Sequence, residues 1–312
     1  VPPHLQTAEN QTLPPAQFYT WKNYRCAYEV RQPEHATDND GIPLLLVQPI
    51  GVGLSRHFWQ RFCDEWYRVG CRNPIYNPDL LGCGECDLPR VAYTPKDWAE
   101  QLQHFLQTVV QKPVILGVQG ALLPVAIALL QQTESHWIRG LVLSGPPSWP
   151  LITSKTPEWR QRLQWNLFFD SPLGIAFYRY ARREEFLRSF SKKRLFAEAQ
   201  AVDEEWLETL KQGAENMDSR YAVFSFLAGF WRENYEDAIA KITQPTLVVM
   251  GEAASNIGRT GEGETPEQRL THYLNCLPNG RGVTISGRNV LPYESTAEFV
   301  AATAAFVKTL AP

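Results

Sequence analysis

Apolar positions along the chain alternate between the strand period and the helix period. Two short runs, Phe18 to Lys22 and Arg25 to Val30, read as an opening antiparallel hairpin. Pro43 to Val47 is a near-continuous apolar run, as expected for a strand of a parallel sheet covered on both faces. The turn Gln48-Pro49-Ile50-Gly51-Val52-Gly53 follows. Between about Ser55 and Val69, Phe58, Trp59, Phe62 and Trp66 then recur at helical spacing. Pro74 to Leu80 predicts the next strand, closed by Gly82-Cys83-Gly84, and Thr94-Pro95-Lys96-Asp97 starts a helix with an N-cap threonine and a proline at its first position. Val114 to Leu116 is a strand, and Leu122 to Leu130 an apolar helix in which Pro124 falls where a missing N–H costs least. Gly140 to Ser144 is a further strand.

From about Trp149 to Lys241 the alternation stops and the pattern is helical throughout, with Trp159, Leu163, Trp165 and Phe168, and later Trp206, Leu207 and Leu210, on apolar faces. The sheet pattern then resumes: strand Pro245 to Met250, a helix opened by Thr265-Pro266-Glu267-Gln268, strand Gly282 to Ser286, and a last helix with Ser295 and Glu298 in capping-box spacing. Strands alternating with helices at this spacing predict a doubly wound, mostly parallel sheet. The expected organisation is a lead-in at 1–17, a core at 18–148 and 242–312, and an inserted helical cap at 149–241. The lead-in, rich in Pro and Gln, reads as disordered.

A chain of 312 residues with 44% hydrophobic side chains is long enough for one large domain with an insertion. Its net charge of −3 argues against a general nucleic-acid binder. The longest apolar stretch, Val114 to Leu130, is broken by Gly117, Gln119 and Pro124 and reads as a buried strand and helix rather than a membrane span. With no secretory pattern at the start, the expectation is a soluble protein of the cytoplasm, or of the plastid stroma if the source is a plant or alga. Six scattered cysteines, at 26, 63, 71, 83, 86 and 276, suit reduced thiols; only Cys83-Gly84-Glu85-Cys86 has metal-like spacing, and without a second pair it predicts no metal. No cofactor is expected.

The turn Leu116-Gly117-Val118-Gln119-Gly120-Ala121, between strand and helix, has the setting of a G-x-S-x-G nucleophile elbow, with Gln119 as its central residue. With it stand the oxyanion-loop region Gln48 to Gly53, the turn Asp79-Leu80-Leu81-Gly82-Cys83-Gly84-Glu85-Cys86-Asp87, the strand Pro245 to Gly251, and Leu291-Pro292-Tyr293-Glu294. Five such segments in order, with a helical insertion in the expected place, resemble the α/β-hydrolase superfamily over roughly residues 18 to 310. The resemblance implies that fold, with a sheet of about eight strands and an inserted helical cap. The wording of residues 49–56 and 77–84 is similar to uncharacterised α/β-hydrolase-like proteins of cyanobacteria and plastids.

The catalytic residues that the resemblance implies are missing. The nucleophile position is Gln119, and an amide carries no attacking oxygen or thiolate. The acid position is about Ala254, in Gly251-Glu252-Ala253-Ala254-Ser255, and the histidine position is Asn289 or its neighbour Val290. The last histidine, His272, precedes the final strand, so all three triad members are absent. Glu252 lacks a histidine to orient, and Cys83 and Cys86 lack a visible base that would make a thiolate.

The leading expectation is a non-hydrolytic pseudoenzyme that binds a small apolar or acyl ligand, or a protein partner. The ligand set is Ile50, Gly51, Val52, His57, Gln119, Gly120, Arg288 and Asn289. Gln119, Arg288 and Asn289 have two readings: the hydrogen-bonded plug of a dead site, or an anchor for a carboxylate, carbonyl or phosphate. Two alternatives stay open. One is a hydrolase or lyase with a rearranged site, in which those three polarise a carbonyl while water or a thiol attacks. The other is an assembly factor docking through the cap segment 177–194, where seven Arg and Lys stand against two Glu and are interleaved with Phe177, Tyr178, Tyr180, Phe186 and Phe190. That segment reads either as a surface for an anionic membrane or acidic partner, or as a helix packed on the core through its aromatics.

Overall fold

The alternating pattern folds into a single eight-stranded sheet with strand order β1-β2-β4-β3-β5-β6-β7-β8. The computed structural model describes residues 15–310, apart from 34, 36, 38, 39, 170, 259, 260 and 262. The expected lead-in lies outside these except for its last three positions, and Gln17 already begins the first strand. The strands are β1 (Gln17–Trp21), β2 (Tyr24–Arg31), β3 (Leu44–Val47), β4 (Ile75–Pro78), β5 (Val114–Gln119), β6 (Ile138–Ser144), β7 (Thr246–Gly251) and β8 (Gly280–Ile285). The β1–β2 and β2–β4 pairs are antiparallel, and every later pair is parallel. Lys22 and Asn23 both take positive φ, which gives the two-residue hairpin turn a twist that matches its strands. Every residue of β3, β5 and β7 is buried, as their continuous apolar runs require.

Helices cover both faces. Helix α1 (Gln60–Arg68) buries Phe62, Cys63 and Trp66 and packs on the last helix, α13 (Thr296–Lys308). On the other face α2 (Pro95–Phe105) packs on α3 (Leu123–Gln132), with α11 (Pro266–Cys276) beyond β6. The expected helix starts at Thr94 and Thr265 both form complete capping boxes, with Asp97 and Gln268. The Ser295/Glu298 box does not form. A short helix α12 (Leu291–Glu294) precedes it and leaves Ser295 at φ −124°, so Ser295 Oγ donates to Ser286 O at 2.7 Å and Glu298 accepts from Ser286 N at 3.2 Å. Both side chains tie α13 to the end of β8 instead of capping it.

Between β6 and β7 the described residues form helices α4 (Trp149–Ile152), α5 (Glu158–Gln164), α6 (Pro172–Ala181), α7 (Glu184–Phe190), α8 (Glu204–Gly213), α9 (Arg220–Ala228) and α10 (Glu236–Ala240), with short π-type turns after α5 and α7. The basic segment 177–194, expected as one helix, is broken between α6 and α7, and only Tyr178 of its five aromatics is buried.

Candidate functional site

The carboxyl ends of β3, β5, β6, β7 and β8 meet the helical insertion, and the loops there hold the residues singled out from the sequence. Strand β5 runs regularly through Gln119, whose backbone is extended at φ −98° and ψ 127°. The left-handed residue at the turn is Gly120, with φ +60°. The strained vertex expected at Gln119 therefore sits one residue later, on a glycine. Spacing locates a tight turn between strand and helix, but backbone angle decides its apex, and Gly120 adopts positive φ without a Cβ clash. A Cβ built on Gly120 would meet no atom within 4 Å, so the space where a nucleophile's side chain would start is open.

Gln119 turns into the protein instead. It is 2% exposed, and its Nε2 donates to the backbone oxygen of Asn289 at 2.6 Å. Asn289 is engaged on every side: its backbone N–H donates to Leu195 O at 3.0 Å, its Nδ2 donates to Arg194 O at 2.7 Å, and its Oδ1 accepts from Ser255 N at 3.3 Å. Ser255 follows Ala254, itself buried, so the loops after β5, β7 and β8 join here through amides and backbone. Arg288 donates from Nη1 to Lys193 O at 2.9 Å, and its backbone N–H donates to Glu294. Gln119 Oε1 and, beside it in register on β6, Ser144 Oγ are buried and take no partner among the described residues.

The oxyanion-loop region leads elsewhere. Ile50, Gly51 and Val52 wall a cavity of about 190 Å³, completed by side chains of the insertion including Phe177, Leu187, Phe190, Leu210 and Val223. Its lining is apolar apart from Ser191, whose hydroxyl already accepts from Trp206 Nε1 at 2.9 Å. Gln119, Gly120, Arg288, Asn289 and His57 do not line it. The eight residues of the expected ligand set are thus dispersed: three line the cavity, three belong to the hydrogen-bonded junction, Gly120 is at the turn and His57 stands apart. The sequence offered no signal for the insertion's share of the wall, because those residues converge only through helix packing. Close backbone contact fixes the loop to the insertion, since a Cβ on Gly53 would come within 1.8 Å of Leu210 O.

His57 lies in a 3-10 turn, Arg56–Trp59, where burial and then the neighbouring Arg56 charge hold its imidazole below the usual histidine range. Arg56 itself is 2% exposed and pairs with the buried Asp79 and with Glu85. Its backbone N–H donates to Asp79 at 2.8 Å, and this pinning fixes the loop that follows β3. The two turn cysteines are structural. Burial pushes the Cys83 thiol far up, and Cys86, also raised mainly by burial, accepts from Ala27 N at 3.2 Å and donates to Asp79 O at 3.2 Å. A buried thiol with a raised pKa supplies no thiolate. Among the described residues no group of three or more His, Cys, Asp and Glu is placed to hold a metal ion, and no helix is long and apolar enough to cross a membrane.

Residues 44–303 match the alpha/beta hydrolase family. Comparison with curated proteins gives no match. Among solved structures, a thermophilic esterase from Thermogutta terrifontis is similar with a TM-score of 0.69 at 18% identity, covering 93% of this chain and 95% of its own. The enol-lactonase from Burkholderia xenovorans LB400 is similar at 0.69 and 13%, covering 94% and 100%, and a bromoperoxidase from Bacillus anthracis at 0.66 and 18%, covering 91% and 96%. At such identities the likeness establishes the fold and leaves the chemistry to the site.

Proposed function

The chain belongs to the alpha/beta hydrolase family, and from that premise we propose that it is a non-hydrolytic member that binds a small apolar ligand beneath a helical cap formed by the insertion. The observation that carries this reading is the elbow. Its apex is a glycine, and the adjacent side chain is an amide bonded to the loop where a base would sit. Acyl transfer needs a nucleophile, a base to take its proton and a group to orient that base, and none of the three positions offers one. Of the two readings of Gln119 and Asn289, the hydrogen-bonded plug is the better supported, because Asn289's donors and acceptors are already engaged within the protein.

The ligand is small. A cavity of about 150 Å³ in another protein holds benzene, and this one, at about 190 Å³, has room for one ring or a short acyl chain. With Ser191 engaged, its wall offers shape and apolar contact rather than a polar anchor. The test is displacement of a fluorescent short-chain fatty-acid probe, compared with Val223→Phe, which fills the cavity from a wall position outside the junction. Saturable binding lost in the variant supports the reading, and binding unchanged by the variant removes the cavity from it.

One observation favours a second reading, a hydrolase or lyase with a rearranged site. Gln119 Oε1 and Ser144 Oγ are buried without a partner among the described residues, and such a pair can hold and orient a water. Ester or lactone turnover that depends on Gln119 and Ser144 together would establish it.

A further inference from the structure

The insertion turns apolar side chains outward at helical spacing. Trp159, Leu163 and Leu167 recur every fourth residue along α5 and the π-type turn after it, and Leu173 and Phe177 do the same on α6. They are between 42% and 68% exposed, and Phe168 adds 54%. A surface helix normally directs such a stripe at the core and its polar residues at water. Here other sides do the packing, through Gln161 on α5 and through Gly174 and Tyr178, about a quarter-turn round from the stripe, on α6. Of the twelve large apolar side chains exposed among the described residues, eight lie in the insertion, so the patch is a property of this region and not of the surface at large.

The charge beside the patch is predominantly positive. Residues 155–194 carry ten Lys and Arg against four Asp and Glu, in a chain whose net charge is −3. Arg179, Lys192, Lys193 and Arg194 are exposed, and their side chains take no ion-pair partner among the described residues. An open groove between α6 and α7 has Tyr180, Phe186 and Phe190 along its floor and Arg183, Lys193 and Arg194 on its rim. Glu184 and Glu185 also line it; Glu184 is paired with Arg188 and Lys211, and Glu185 is exposed, so the cations outnumber the acids there by three to two. Exposed tryptophan and leucine beside unpaired cations match the composition of an anionic bilayer surface: apolar side chains enter the acyl boundary while cations meet the headgroups. Phe177 belongs to both surfaces, because it is exposed on α6 and also walls the apolar cavity.

We propose that the outer face of the insertion, α5 and α6 with the basic π-type turn after α7, is a docking surface for an anionic lipid bilayer. The proposal goes beyond the non-hydrolytic reading and does not depend on it. A chain that bound vesicles and also turned over esters would refute the proposed function and leave the docking surface standing.

The experiment is co-sedimentation of the full chain with vesicles of equal parts phosphatidylglycerol and phosphatidylcholine, against vesicles of phosphatidylcholine alone, at low and at raised salt. The chain is expected to pellet with the anionic vesicles and to be released by salt. Arg179→Gln, Lys192→Gln, Lys193→Gln and Arg194→Gln together should weaken partitioning by roughly a hundredfold or more, since each surface cation contributes about a kilocalorie. These four are exposed and unpaired, so the variant keeps its fold. Trp159→Ser with Leu173→Ser should weaken binding independently. Absence of binding to anionic vesicles overturns the proposal, as does equal binding to neutral ones. Concentration-dependent self-association that is lost in Trp159→Ser, without vesicle binding, assigns the face to a second copy of the chain and overturns it equally.

Discussion

Two helices of the insertion carry apolar residues in similar spacing and end in opposite environments. On α8, Trp206, Leu207 and Leu210 are at most 3% exposed; on α5 and the turn after it, Trp159, Leu163 and Leu167 are at least 46% exposed. The inner helix is clamped. Trp206 packs edge to face on Tyr293 at 4.7 Å and on Phe196 at 5.1 Å, and Asp203 caps α8 by accepting from Trp206 N at 2.9 Å. Asp203 also accepts from Tyr293 Oη at 2.9 Å and pairs with Arg61 at 2.6 Å. Among the described residues the outer helix has no such partners on its apolar side. Helical periodicity shows that a stripe exists, whereas tertiary contact decides whether it faces the core or the solvent. The insertion is therefore two layers, one that belongs to the core and one that presents a surface.

The comparison breaks most sharply on stability. Trp206→Ala should cost about 3–5 kcal/mol, as removal of a buried aromatic does. Trp159→Ala should fall within about 0.5 kcal/mol of the parent, as exposed substitutions usually do. Urea unfolding of both variants checks this, and similar midpoints would show that the two layers do not differ. Next in size is the junction beneath the insertion. Asn289→Leu leaves Arg194 O and Ser255 N without their side-chain partners and should cost about 1–3 kcal/mol, towards the lower figure because solvent reaches part of the site. Loss of protection from exchange at the backbone amides of 255 and 289 in that variant would locate the effect.

The smallest effect is on pH. Burial raises the Asp203 carboxyl, but the Trp206 N–H, Arg61 and Tyr293 outweigh it and hold the group below the usual carboxylate range. A depressed carboxylate adds stability above its unfolded value, about 3.9, and loses it as pH falls through the lower folded value. Stability of the parent should thus decline in acid more steeply than that of Asp203→Asn, with the difference vanishing at low pH. Parallel denaturation curves across that range would remove Asp203 from the clamp.

The sheet was legible because its strands are buried on both faces and write continuous apolar runs, and because Thr94 with Asp97 and Thr265 with Gln268 are local capping signals with no competitor. The Ser295 and Glu298 spacing was equally regular but met Ser286, nine and twelve residues earlier across the intervening α12, and a hydrogen bond back across that loop lies outside the four-residue capping pattern. The elbow was recognisable from its strand, turn and helix, yet its apex is Gly120 rather than Gln119, since residue spacing does not encode a backbone angle. The residues around Asn289 could be named from the resemblance, whereas their closure into a junction depends on Arg194 and Leu195, nearly a hundred residues away. The cavity wall and the outward stripe were illegible for the same reason: each depends on which side of a helix the rest of the protein covers.

Steady-state hydrolysis of short p-nitrophenyl esters by the purified chain decides whether this hydrolase fold is, as proposed, without a hydrolytic site. Turnover is expected at background, unchanged in Gln119→Ala. Saturable turnover that disappears in Gln119→Ala would contradict it.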